Sequence, residues 1–444
     1  IMFNPQPEDC TCFRFPMQCI CLKLNGAWPL NSIEDDNKYL QKKVFACCYI
    51  IWAWLVIFCV VATFFFQVAF LFENLDDILV TTETCCTTLM GALNSVRLLH
   101  LRLKKRKFKA LIEQFVNNVW IRENSYPDIE TACKKRMKLF LIMPVLLCLL
   151  IVSYVTVPLV KLATSGWQSN AKTFPYRMSF PYDAYQGWSY VFTYIFTSFG
   201  GIFVVTTLFA EDTLFAFFVT HTCGQYSVLH RFIDELIPRS VQNVGSQSGG
   251  QKLPDHCYQQ EYKRQLNALA EMHQKLIVFA ENLENFMSPI LFVNFMTSSL
   301  LICVVVFQLV TGRDMFIGDF IKFMVYILHL MSQLFTLCWN GDLLIQHSSD
   351  TATHLYSCNW QSPVVHEDVL QWEGGNVQGE CVGKACPPDS DFRMRLKLMI
   401  MRSQKPSKIT ALKFSDLSLK TFTTILSTSM SYFTLVQAIY SKRT

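Results

Sequence analysis

Apolar positions in this chain gather into long unbroken runs, not the short amphipathic or alternating patterns of a soluble domain. The clearest run is VFACCYIIWAWLVIFCVVATFFFQVAFLF over 44–72. It exceeds the ~20 residues a helix needs to cross a bilayer, and it is too long for the apolar part of a signal peptide. Similar runs predict spans near 138–162 (despite Pro144 and Pro158), 188–218, 286–310 and 316–345. Two further runs are more polar. One, near 77–100, carries Thr81, Thr82, Glu83 and Thr84 in its first half; the other lies near 418–440. The pattern therefore predicts an all-α, polytopic membrane protein with seven transmembrane helices. Before span five, Leu266, Leu269, His273, Leu276, Ala280 and Leu283 recur at spacings of three and four. That is one face of a helix running into the span, and it makes His273 a packed residue, not a ligand. NVGSQSGGQK (243–252) reads as a flexible linker.

Charge sets the orientation. Lys and Arg favour the cytosolic side. With the N-terminus inside, segments 1–43, 97–138, 219–285 and 346–420 hold 32 of the 39 basic residues, and the outside segments hold 6. The RLKKRKFK run at 102–109 is decisive; it is a topology determinant and a candidate contact for anionic lipid. The C-terminus is then extracellular, opposite to a G-protein-coupled receptor. Expected divisions are 1–43 as a cytosolic N-terminal segment, 44–218 as spans one to four, and 219–285 as a cytosolic helical extension. Spans five and six (286–345), a cytosolic loop with an anchor helix (346–416) and span seven (417–444) follow.

Composition supports this reading: 51% of residues are hydrophobic and 16% charged, against ~25% charged in an ordinary soluble domain. Of the 18 cysteines, Cys47, Cys48, Cys59, Cys85, Cys86, Cys148, Cys303 and Cys338 fall in apolar stretches, where a free thiol behaves as a small hydrophobe. The others fall in segments assigned to the cytosol, where thiols stay reduced. Cys10-x-Cys12 and Cys19-x-Cys21 lack zinc-site spacing, and no metal is expected. The GK pair in EGGNVQGECVGKACPP (373–388) fails as a phosphate loop: Gln378 stands at the first glycine position, and Ala385 where a magnesium-binding hydroxyl belongs. G-x-S-x-G and H-E-x-x-H are absent, and the nine histidines are scattered. No enzyme, cofactor or nucleic-acid partner is expected. A transporter would show internal repeats and interrupted helices, and no repeat is visible.

Span seven is chemically different from span one. It carries Thr421, Thr423, Thr424, Ser427, Thr428, Ser429, Ser431, Thr434 and Gln437. Ser427, Ser431 and Thr434 share one face, which either packs on other helices or lines water. One helix cannot enclose a pore, but symmetric copies can.

The C-terminal third resembles the insect odorant receptor family. LKLMIMRSQKPSKITALKFSDLSLKTFTTILSTSMSYFTLVQ (396–437) is similar throughout to that family's signature region, above all RSQKP (402–406) and SYFTL (431–435). GAWP (26–29), FPYRMSFPYD (174–183) and HLYSCNW (354–360) agree, and the inverted seven-span topology is the family's own. The insert between Trp360 and Phe392 departs from it. Gustatory-type receptors share the fold, but their closing pattern fits less well, because Ala438 replaces its Phe.

The resemblance implies an odorant-tuning subunit of a ligand-gated, non-selective cation channel. It implies multi-pass placement in the plasma membrane of sensory dendrites. A heterotetramer with a shared co-receptor would be held together by the cytosolic helices. It puts the odorant pocket in the outer half of spans two, three, four and six. On this chain that region holds Thr82, Glu83, Cys86, Tyr154, Val157, Tyr190, Tyr194, Thr197, Phe323, Tyr326 and Leu330. Aromatic walls suit small apolar ligands, and tyrosine hydroxyls can orient an oxygen. Glu83 is expected to face water or a hydrogen-bond partner. The pore would be lined by Ser427, Ser431 and Thr434, with a gate around Leu435, Val436 and Gln437.

Overall fold

The computed structural model describes residues 16–29, 39–120, 126–165, 172–247, 254–312, 316–361 and 386–443. A short helix α1 (Pro16–Leu24) precedes span one, α2 (Tyr39–Glu73), and span two, α3 (Ile78–Leu103). Two cytosolic helices follow, α4 (Lys105–Asn118) and α5 (Pro127–Leu139), then span three, α6 (Ile142–Ser165), and span four, α7 (Gly187–Asp234). After α8 (Leu236–Gln247) come span five, α9 (Asp255–Thr311), and span six, α10 (Ile317–Ser357). The chain closes with α11 (Ser390–Ser403), a two-residue hairpin of β1 (Thr410–Ala411) and β2 (Ser415–Asp416), and span seven, α12 (Leu419–Arg443).

Hydropathy explains the layering. Among the described residues, five helices are long and apolar enough to cross a membrane, and they include α2, α7, α9 and α10. Neither α3 nor α12 meets that criterion, because hydroxyls and charges dilute its apolar run. Both are held in the bundle by their neighbours: α3 packs against α2 and α9, and α12 packs along α9. On α2, Ile51, Phe58, Phe65 and Phe72 recur every seven residues and point outward, all more than 60% exposed, as a lipid-facing stripe requires. Ala53, Val56, Val60 and Gln67 on its other side are buried.

Two helices are much longer than a bilayer. α7 has 48 residues and α9 has 57, about 72 Å and 85 Å at 1.5 Å per residue, against a hydrocarbon core of ~30 Å. Their cytosolic halves pack with α4, α5, α8, α10 and α11 into a helical body. Leu266, Leu269, His273, Leu276, Ala280 and Leu283 are all buried there. Burial in that cytosolic part pulls the His273 imidazole down to about 4, so it is a neutral packed group.

Three readings change. α8 continues through Gln247, so helix covers the first half of the expected linker; Val244 is buried and anchors that turn, and 248–253 lie outside the described residues. Cys19 is disulfide-bonded, not a free thiol. Compartment sets the redox poise but not which thiols are held together, and the partner of Cys19 lies outside the described residues. Arg97, counted with the solvated cytosolic charges, is 1% exposed inside the bundle. It donates to Asp212 at 2.8 Å and pairs with Glu211 at 3.3 Å. Asp212 also accepts from Gln333, so the cluster joins α3, α7 and α10. The insert is described only at its ends, since 362–385 lie outside the described residues.

Candidate functional site

A cavity of about 60 Å³ lies among α2, α3, α6, α7 and α10, roofed by the outer loop before α7. Close helix approach shapes it. A Cβ on Gly201 would stand 2.1 Å from the Tyr176 hydroxyl and 2.7 Å from Ile151 Cδ1. One on Gly200 would meet Thr63, and one on Gly91 would stand 3.2 Å from Gln67 Oε1. The three glycines therefore leave the space that side chains would fill. Leu147, Leu150, Val204, Val205 and Leu208 supply apolar wall, and Met90 and Met178 supply adaptable wall. Benzene occupies an engineered cavity of ~150 Å³, so a ring-sized guest enters only as these side chains swing aside.

Of the residues expected in a pocket, Tyr154, Thr197 and Tyr326 line this cavity. The Tyr326 hydroxyl donates to the Cys86 carbonyl at 3.0 Å, which fixes the ring and gives Cys86 a backbone role. Val157, Phe323 and Leu330 do not line it; Phe323 and Leu330 are 1% exposed in the surrounding core, and Val157 packs near Gly318. Thr82 ties helices together, donating to the Ile78 carbonyl and accepting from Gln308 at 2.6 Å. Tyr190 and Tyr194 form a separate cluster with Leu162, Phe174 and Ala184 under the outer loop. Their hydroxyls are used by the carbonyls of Thr173 and Val155.

Glu83 is paired. It meets Arg177 at 2.8 Å and Lys322 at 3.4 Å. Lys322 also meets Asp319 at 3.1 Å, and Asp319 meets Lys161. These alternating charges join α3, α6, α10 and the outer loop. The Lys322 ammonium lies 5.1 Å from the Tyr154 ring centroid, a cation–π distance, so the charge chain abuts a cavity wall. Sequence reasoning missed Thr63, Gln67, Thr87, Gly91, Tyr176 and Gly201. The available signals were Thr63 and Gln67, polar residues in the otherwise apolar span one, and the place of Tyr176 in the FPYRMSFPYD motif.

The second feature is a face of α12. Ile425, Ser429 and Phe433 are buried on one side, and Val436 and Tyr440 pack there against Cys303 and Phe307 of α9. Ser427, Ser431, Thr434, Leu435 and Gln437 are exposed. Val436 thus faces α9 and does not share the bare face, because the helix turns it about half a revolution from Ser427. The hydroxyls of Ser431 and Thr434 donate to carbonyls one turn back, so these two donors are satisfied on their own helix.

A helical membrane receptor with an internal apolar cavity and a polar face left bare on its last span is the class this architecture defines. A family model described as "7tm Odorant receptor" matches residues 77–430, and the chain belongs to that family. It is 47% identical to Odorant receptor 13a of Drosophila melanogaster over 96% of each chain. It is 24% identical to Odorant receptor 67c of the same fly, over 72% of this chain and 69% of that one. A solved structure of the insect olfactory receptor OR5 from Machilis hrabei, in complex with eugenol, shares the fold. Its TM-score is 0.75 at 16% identity, over 98% of this chain and 100% of that one. The chain is a tuning receptor of the odorant branch, not the co-receptor and not an enzyme.

Proposed function

We propose that this chain binds a small, volatile, mostly apolar odorant in the cavity lined by Tyr154, Thr197 and Tyr326. The observation that carries the reading is that cavity, given room by Gly91, Gly200 and Gly201 and abutted at Tyr154 by the Lys322 ammonium. Ligand binding opens a non-selective cation pore by favouring the open arrangement through differential affinity. The exposed face of Ser427, Ser431, Thr434, Leu435 and Gln437 supports a share in the pore wall. The remaining wall comes from shared co-receptor subunits in a heterotetramer at the plasma membrane of sensory dendrites, with the basic 102–109 run against anionic lipid. In OR5 the bound molecule is eugenol, a small aromatic that carries one hydroxyl.

The test is current from cells co-expressing the chain with the co-receptor, screened against an odorant panel. Leu150→Trp, which fills the cavity, is expected to weaken every agonist at unchanged surface level. Agonist potency left intact by this variant refutes the pocket.

A further inference from the structure

We infer that the Tyr154 and Tyr176 hydroxyls select guests with an oxygen acceptor over hydrocarbons of the same shape, because both hydroxyls face the cavity with no acceptor of their own. The inference rests on the cavity being the odorant site. Tyr154 stands on α6 and is 7% exposed, Tyr176 reaches in from the outer loop, and both line the cavity. Among the described residues neither hydroxyl makes a hydrogen bond, and neither is sealed from the cavity. A tyrosine hydroxyl taken out of water needs a partner, and a donor left without one is costly.

Two elements bring the hydroxyls to one cavity. The ring centroids lie 5.1 Å apart with planes tilted by 31°. Along the outer loop, side chains alternate. Tyr176 and Met178 turn into the cavity, while Arg177 pairs with Glu83 at 2.8 Å and Ser179 Oγ donates to Glu73 at 2.9 Å. The Ser179 N–H donates to the Phe66 carbonyl at 3.1 Å. These outward contacts pin the loop to α2 and α3 and hold Tyr176 inward. Its hydroxyl lies over Gly201, where a Cβ would stand 2.1 Å away. The Lys322 ammonium lies over the Tyr154 ring. A cation there draws electron density from the phenol and strengthens its O–H as a donor.

The other hydroxyl protons of the wall are spent on backbone. Thr63 donates to the Val60 carbonyl at 2.8 Å, Thr87 to the Thr84 carbonyl at 3.1 Å, and Thr197 to the Tyr194 carbonyl at 3.0 Å. Tyr326 donates to the Cys86 carbonyl. The Gln67 amide oxygen is sealed behind Gly91 and competes for neither tyrosine. A ketone or ester oxygen brings lone pairs to the two free donors, and the carbon skeleton fills the leucine and valine wall. An alcohol oxygen accepts as well, and its own proton can go to a threonine oxygen. A hydrocarbon fills the wall and leaves both donors unpaired. If water satisfies the tyrosines in the empty cavity, the same ordering holds. An oxygen acceptor replaces that water's bond, and a hydrocarbon displaces the water without replacing it.

The experiment uses the full-length chain co-expressed with the co-receptor. Agonist potency is read from currents for pairs in which a methylene replaces the carbonyl oxygen: 2-octanone and 2-methyl-1-octene, acetophenone and α-methylstyrene. A ketone has no proton to give, so its advantage reports donors on the protein. Each ketone is expected to be about tenfold more potent than its alkene, the effect of a buried donor left unpaired; an alkene without current counts as the full advantage. In the double variant Tyr154→Phe with Tyr176→Phe, ketone potency falls to the alkene level, while any alkene potency stays within about twofold. The rings remain, so a merely structural role would not change the ratio. Equal potency within pairs for the parent, no current from either ketone, or an unchanged ketone advantage in the double variant overturns the inference. So does an advantage held by 2-octanol alone, since the guest would then be the donor. If the double variant does not reach the surface, the single variants decide. Each is expected to shrink the ketone advantage about threefold, and an unchanged advantage in both overturns the role of the tyrosines. Leu150→Trp separates the two levels. If it leaves all potencies intact, the cavity is not the odorant site. If it weakens both members of a pair while the double tyrosine variant keeps the ketone advantage, only the role of the tyrosines falls.

Discussion

At the residue scale, the smallest side chains carry much of the site. Gly201→Ala places a Cβ where the Tyr176 hydroxyl and Ile151 Cδ1 now lie. Tyr176 belongs to the outer loop and can move; Ile151 sits on α6 and yields less. Overpacking of this kind costs about 1–3 kcal/mol, and because it falls on the cavity wall it reads out as about tenfold weaker agonist potency. Dose–response currents at matched surface labelling check it. Arg97 is the opposite case, a large group fully enclosed. Arg97→Met leaves Glu211 and Asp212 buried with no cation, a loss of about 3–5 kcal/mol. Surface labelling should collapse, and the thermal unfolding midpoint of the detergent-solubilised receptor should drop. Adding Glu211→Gln and Asp212→Asn should restore much of both, because the uncompensated charge, not the missing side chain, is the cost.

At the element scale, α12 has two faces with separate tasks. Ile425, Ser429, Phe433 and Val436 hold it on α9. Leu435 and Gln437 lie on the exposed side. Gln437→Ala and Leu435→Ala are expected to change ion permeability ratios or resting current while odorant ranking stays nearly fixed, since ion selectivity follows the pore lining. Val436→Ala is expected to lower surface level with no change in reversal potential, because it removes packing from the α9 side. Reversal potentials of the three variants, each with the same unaltered co-receptor, check both statements. Identical values and identical leak for the Gln437 and Leu435 variants would remove α12 from the pore wall.

At the scale of the whole molecule, the charge distribution fixes which ends of the long helices meet water. The protruding halves of α7 and α9 and the basic 102–109 run all lie on the cytosolic side. A peptide tag inserted after Asp183 is expected to be labelled on intact cells, and one inserted within 248–253 only after permeabilisation. Labelling of the second tag on intact cells would reverse the topology and move the cavity to the cytosolic leaflet. The charge chain from Arg177 through Glu83, Lys322 and Asp319 to Lys161 would then face the wrong compartment for a receptor of external ligands.

The sequence by itself determined the helices, their direction and the family. Spans and basic runs are local properties, because each helix meets its own backbone needs in lipid and each loop carries its own charge. The stripe from Leu266 to Leu283 and the polar face of span seven were legible for the same reason, since both are periodicities along one helix. What a residue on one helix meets on another is not written in either segment. Tyr190 and Tyr154 are both aromatic and both in the outer half of a span. Only packing put Tyr154 on a cavity and Tyr190 under a loop. Arg97 followed a membrane span and preceded a basic run, so it read as solvated until α7 and α10 enclosed it. In sequence Gln67 is a polar residue inside an apolar run. Tertiary structure made it a cavity residue, because Gly91, Gly200 and Gly201, distant in sequence, leave room on the neighbouring helices, and van der Waals contact between helices decides where that room falls.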